Sequence, residues 1–226
     1  MLIPARLAAW GNVALALTGP TVVAAIGAHA PPSVPTLAAH GIGVAAIALL
    51  AVAVTMRAVL GEGYAWRRLG FGNVSVATPL LALGLTAFFV FLFGPAANLV
   101  LAQLGGQDFT GAIAAANRLP SLYLTSTIVI VAAAEEVLYR GYAIERLFDL
   151  TGSYPVASIV SVIAFAVAHV PVWGVAPAAT MIAAGGILAA VYLWCRDLVA
   201  LILAHIATDV CGIVLAPLLA HAATRT

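Results

Sequence analysis

The chain has no lysine and only two cysteines, and charged residues fill just 8% of its 226 positions. An ordinary soluble domain is about a quarter charged. The two cysteines, Cys195 and Cys211, form no CxxC pair, and the length is far from that of a disulfide-stapled mini-protein. A formal net charge of +1 with no basic stripe excludes nucleic-acid binding. What replaces the missing charge is apolar surface: 64% of the residues are hydrophobic and the mean hydropathy is +1.14. That excludes disorder, and no single water-soluble core absorbs it. The composition is that of a polytopic membrane protein. All nine basic residues are arginine and alanine is abundant, which fits a GC-rich genome and a bacterial inner membrane.

Crossing about 30 Å of hydrocarbon takes about 20 apolar residues. Proline, glycine and charge punctuate the sequence into seven such windows: Leu7–Ala28, Pro35–Leu60, Thr78–Leu104, Ser121–Leu150, Tyr154–Trp173, Gly174–Cys195 and Leu198–Ala220. The predicted fold class is therefore all-α, a transmembrane helical bundle of about seven spans filling residues 1–226 as one domain. Pro171 and Pro177 flank the boundary between the fifth and sixth windows and leave its position open. The first window mimics a signal peptide, with Arg6 before it and Ala28-His29-Ala30 after it. Its apolar run exceeds the roughly 7–15 residues of a signal core, and Pro31 and Pro32 follow, so a retained helix is expected. Arginine placement sets direction. Arg6, Arg57, Arg67, Arg68, Arg140, Arg146 and Arg196 gather on one side and only Arg118 and Arg225 on the other, so a cytoplasmic N-terminus and an outside C-terminus are expected. Gly105–Pro120 is the longest outer connection and reads as a re-entrant or interfacial piece.

Ionisable groups at bilayer depth cost about 2.5–3.5 kcal/mol each on insertion scales and are functional candidates by default. Glu135, Glu136, Arg140, His169, His205 and Asp209 fall inside the windows. At ~1.5 Å per residue, Glu135 and Asp209 lie at mid-span, His205 ~6 Å and His169 roughly 7 Å from it. Adjacent glutamates point about 100° apart on a helix, so Glu135 and Glu136 have separate tasks. Arg140 stands four residues after Glu136, the order that favours an ion pair. Glu135 then lacks a local cation, and a desolvated carboxylate is a stronger base. Phe165 and His169 share one helix face at the same spacing, as do His205 and Asp209. Two imidazoles and a free carboxylate in one layer suit orientation of water and stabilisation of an oxyanion.

These residues carry a resemblance. Glu135-Glu136-Val137-Leu138-Tyr139-Arg140 resembles the E-E-x-x-x-R motif of the CAAX-protease and bacteriocin-processing intramembrane proteases, the type II CAAX prenyl endopeptidase or abortive-infection family. Phe165-Ala166-Val167-Ala168-His169 is similar to its F-x-x-x-H motif, and His205-Ile206-Ala207-Thr208-Asp209 to its H-x-x-x-N/D motif. The three occur in the family's order within Leu124–Leu215, so residues 121–220 form the expected catalytic core. The resemblance implies a glutamic-type intramembrane protease without a cofactor. It makes Glu135 the general base, His169 its water-positioning partner, and His205 with Asp209 the oxyanion side, with Glu136, Arg140 and Phe165 in support. An ionised Asp209 would repel an oxyanion, so either it is protonated in this layer or, the preferred reading, it only orients His205 as an acceptor. The implied partner is a membrane-anchored protein substrate in the bilayer, cut near its anchored, C-terminal end, as in C-terminal sorting.

Several plainer readings stand beside these. Glu135 and Glu136 could form a structural network around Arg140, and His205 and Asp209 could be helix-packing glue. Zinc is the cofactor alternative, because Glu, His and Asp are acceptable ligands, although no H-E-x-x-H occurs. Cys195 and Cys211 read as small apolar fillers, Tyr139 and Tyr142 as packing around the acidic layer, and Gly141, Gly185 and Gly186 as sites of close helix approach. From other function classes, the rivals are a non-catalytic immunity or binding protein and a proton-coupled carrier. A carrier should show matching broken helices in its two halves; none is visible.

Overall fold

A computed structural model describes residues 3–29, 31, 36–105 and 108–223. Arg225, Ala30, Pro32, Pro35 and positions 106–107 lie outside the described residues, as does the side chain of Arg6. Every regular element among the described residues is helical. Seven helices are long and apolar enough to cross a membrane. They are α1 (Ile3–Ala28), α2 (Thr36–Gly61), α3 (Ala77–Gln103), α5 (Ser121–Thr151), α6 (Tyr154–Trp173), α7 (Val175–Cys195) and α8 (Leu198–Ala223). A short helix, α4 (Thr110–Ala116), occupies the connection expected to be re-entrant or interfacial.

The breaks between spans have local causes. Gly174 takes φ +85° between α6 and α7, so the chain reverses there rather than at either flanking proline. Pro171 is tolerated inside the last turn of α6, and Pro177 lies in the first turn of α7, where its missing N–H costs nothing. Ser153 caps α6 by accepting from Val156 N–H. Asp197 caps α8 by accepting from Ala200 N–H at 3.0 Å, while its other oxygen accepts from Thr78 of α3 at 2.5 Å.

The long helix α5 lies at the centre, packed against α1, α2, α6 and α8; α6 also packs on α1 and α7, and α8 on α3. Side-chain links fix which ends lie together. At one end, Arg196 pairs with Glu145 and Arg68 with Asp149, and Leu198 N–H donates to Gly70 O at 3.0 Å. At the other end, Tyr123 donates to Leu37 O, Phe109 meets Trp173 edge-on at 5.5 Å, and Asn117 donates to Ile213 O at 2.7 Å. The first end gathers Arg57, Arg67, Arg68, Arg146 and Arg196, the arginine-rich side expected from the sequence; the second holds Arg118.

A polar network closes the arginine-rich end. Asn12 of α1 donates to Tyr142 at 2.8 Å and to Glu62 at 3.2 Å, and Tyr142 donates to Glu62 at 3.1 Å. Arg146 pairs with Glu62 at 3.1 Å and with Asp149 at 3.4 Å. Tyr64 also donates to Asp149, and Tyr192 donates to Glu145 at 3.2 Å. Tyr142 therefore departs from the sequence expectation. It lies a turn beyond the acidic layer, where its hydroxyl meets the end of α2 instead.

Candidate active site

The first motif sits where α5 changes its winding. Residues Ser121–Glu135 are α-helical, and Glu136–Ile144 form a wider π-helical stretch. A π turn packs more residues per turn than an α turn and is frequent at functional sites. Three more such stretches occur among the described residues, Arg57–Gly61 in α2, Phe89–Phe93 in α3 and Val210–Leu215, which begins just after Asp209 in α8. The widened turn of α5 is braced from α6, where the buried Ser161 hydroxyl donates to Tyr139 O at 2.7 Å.

Glu136 is fully buried, and one of its carboxylate oxygens takes two donors. Arg140 Nη1 reaches Glu136 Oε1 at 2.7 Å, the expected i, i+4 pair. His205 Nδ1 donates to the same oxygen at 2.8 Å. The guanidinium of Arg140 also lies over the Phe165 ring, 4.3 Å from its centroid. Phe165 in turn packs on Tyr139 at 5.4 Å and on His169 at 4.4 Å between ring centroids. Gly185 makes this stack possible, since a Cβ there would stand 3.1 Å from Phe165 and 3.3 Å from Arg140. Gly141 permits a similar approach, 2.8 Å to Leu198 and 3.0 Å to Leu69 O. Gly186 does not; a Cβ there meets nothing within 4 Å, because that face of α7 turns away from its neighbours.

Glu135 points elsewhere, as the 100° offset requires. Its Oε2 lies 4.0 Å from His169 Nε2 and 3.9 Å from His205 Nε2. His169 donates from Nδ1 to Phe165 O at 2.7 Å, which leaves the Nε2 lone pair facing Glu135 in the neutral ring. Asp209 Oδ2 stands 3.6 Å from His205 Nε2, too far for a hydrogen bond, and its side chain is 34% exposed. So Asp209 does not hold the imidazole of His205. Glu136 does, from the opposite ring nitrogen, because the two residues face each other across the α5–α8 contact while Asp209 opens toward a cavity.

Four groups from three helices thus surround one small volume. Separations of 3.9–4.0 Å between the Glu135 oxygen and each ring nitrogen are too long for a direct hydrogen bond and leave room for a water that bridges the carboxylate to an imidazole at about 2.8 Å on either side. Among the described residues no group of three or more His, Cys, Asp or Glu is arranged to hold a metal ion.

Two cavities meet at this point. The first, about 610 Å³, lies between α1, α2, α5 and α6 and is lined by Glu135, His169 and Asp209 among mostly small apolar residues. The second, about 410 Å³, lies between α3, α6, α7 and α8 and is lined by His169, His205 and Asp209 together with Phe89, Phe93 and Phe165. Cys211 borders the second cavity rather than filling a core position, and Cys195 donates to Val191 O at 3.1 Å.

The π-helical turns, the tie from Glu136 to His205 and the pairing of Asn117 with Ile213 are not foreseen from the sequence. Only the region of Ile213 leaves a local trace. Pro217, four residues after Ile213, cannot donate an α-type hydrogen bond to Ile213 O, which marks this stretch of α8 as one where regular α winding is interrupted.

In comparison with known proteins, residues 117–211 match the family model described as type II CAAX prenyl endopeptidase Rce1-like. No curated protein and no solved structure matches the chain.

Proposed function

With residues 117–211 matching the type II CAAX prenyl endopeptidase family, we propose that the protein is a glutamic-type intramembrane endopeptidase that cuts a membrane-anchored protein near its anchored end. The observation that carries this reading is the placing of both imidazole Nε2 atoms within 4.0 Å of Glu135 Oε2. A water held there donates one hydrogen to Glu135 and the other toward the lone pair of His169. Its own lone pair is then directed at an incoming carbonyl carbon.

Glu135 takes a proton from the water as the hydroxyl adds to the carbonyl. The tetrahedral oxyanion is met by His205, whose ring is held by donation of Nδ1–H to Glu136 and so presents Nε2 to the site. In this reading His205 also carries a proton on Nε2, which it donates to the oxyanion, and Asp209 faces the same nitrogen at 3.6 Å. Collapse breaks the C–N bond, and the proton held by Glu135 passes to the leaving amine. Hydroxyl goes to the acyl product and hydrogen to the amine product, with no covalent enzyme intermediate. The reaction draws on no metal or other cofactor.

The test is cleavage of membrane-anchored peptides by purified protein in liposomes. Glu135→Gln is expected to lower turnover by about 10²–10⁴-fold, the usual effect of removing a general base. Glu135 engages in no side-chain hydrogen bond among the described residues, so thermal stability should change little. Retained turnover in Glu135→Gln removes it from the role of base.

A further inference from the structure

We infer that the catalytic centre is entered from one face only, the end opposite the arginine-rich network, and that the substrate strand crosses it from one cavity to the other. This rests on the proteolytic reading above and adds to it the side of attack and the class of segment cut. From the mid-span layer of Glu135, His169, His205 and Asp209, both cavities extend toward the same end of the bundle. The first takes Ala24 and Gly27 from the end of α1, Ala39 and Gly43 from the start of α2 and Trp173 from the end of α6. The second takes Asn98 from α3, Thr180 from the start of α7 and Ala216 from α8, and shares Trp173. Helix α4 lies where the cavities adjoin, Ala112 and Ala116 lining the first and Ile113 the second.

Two contacts hold that helix over the junction. Phe109 packs on Trp173, and Asn117 donates to the Ile213 carbonyl of α8. The opposite end has no such opening among the residues lining either cavity. There the Asn12–Tyr142–Glu62–Arg146 chain and the pairs around Glu145 and Asp149 fill the bundle. An arginine-rich end faces the cytoplasm, so the open end faces outward.

The two chambers share four lining residues, His169, Trp173, Asp209 and Ile213. An endopeptidase needs chain on both sides of the scissile carbonyl, and apolar walls on both sides suit an extended apolar stretch. The occupant is therefore the outer end of a membrane anchor, unwound across the water-bearing groups, with its side chains divided between a chamber walled by small residues and one walled by aromatics.

Sidedness is read with the native thiol of Cys211 in a Cys195→Ala background, using a small membrane-impermeant methanethiosulfonate. Labelling is expected in spheroplasts and not in inside-out vesicles, with a single-cysteine Arg67→Cys control giving the opposite pattern. Labelling of Cys211 from the arginine-rich face overturns one-sided access, whether or not the protein cleaves anything. The strand is read by mapping cut sites in a library of single-span apolar peptides in liposomes. Gly43→Leu narrows the first chamber and Gly212→Leu the second, and both have room, the nearest atom to a Cβ at Gly43 being 3.9 Å away and none lying within 4 Å at Gly212. Each variant is expected to deplete bulky residues at least tenfold on one side of the cut, the two variants on opposite sides. Depletion on the same side, or on neither, overturns the crossing strand. A wild-type protein that cuts no library member refutes the proteolytic reading and the strand with it, and leaves the sidedness shown by labelling intact.

Discussion

Glu136 holds two partners with one oxygen, and that makes it a positioning residue as much as a structural one. Removing its charge leaves Arg140, 1% exposed, without a directly paired carboxylate among the described residues. Breaking a buried pair from one side costs about 3–5 kcal/mol. Glu136→Gln should therefore lower the unfolding midpoint in detergent sharply, where Glu135→Gln does not, and equal stabilities of the two variants would contradict the assignment. The sequence separates these neighbours correctly because a helical offset is local geometry. It does not reveal that His205 leans on Glu136 rather than on Asp209. The His205–Asp209 spacing is visible along one helix, whereas the angle between α5 and α8 decides the outcome and is written in no single segment.

Elements carry their information unevenly. The seven spans are legible to within a few residues because about 20 apolar positions between breakers leave little choice. Tyr154–Trp173 is recovered at both ends, since Ser153 and Gly174 mark them. The π-helical stretches are not legible, because they differ from α-helix by a slight widening that neighbours impose. Close approach is half legible: the pair Gly185-Gly186 announces a small-residue face, and only packing says which of the two is used. Gly185→Ala should cost about 1–3 kcal/mol by crowding Phe165 and Arg140. Gly186→Ala, with open space beside it, should be neutral or stabilising by up to about 1 kcal/mol through helix propensity. Denaturation of the two variants in micelles checks the contrast, and the reverse order would reject the packing described for α7.

At the scale of the molecule, the network at the arginine-rich end ties α1, α2, α5 and α7 to the loop after α2. Arg68 stays charged above its usual range there; burial opposes the charge, and Tyr64, Asp149 and Glu145 outweigh it. Tyr64 belongs to the same cluster, and burial, then its hydrogen bond to Asp149, push its hydroxyl above the ordinary tyrosine value. A group whose acidity is weakened by folding stabilises the fold below its unfolded pKa. That contribution is complete below about pH 10 and is lost as the pH rises through the folded value. The unfolding midpoint should fall more steeply above about pH 10 in the wild type than in Tyr64→Phe, and parallel profiles would assign the loss to another group. The sequence shows the arginine bias but not this knot, because Asn12, Glu62 and Tyr142 come from distant segments, and none of them is out of place near a span end.

That knot has one more consequence. Titratable side chains reached by water from both compartments would form a pair of half-channels and leak protons down the membrane potential. Packed ion pairs on one side of Glu135 break such a wire, so under the proposed mechanism a buried acid could trade its proton with water without discharging the gradient across the lipid around it.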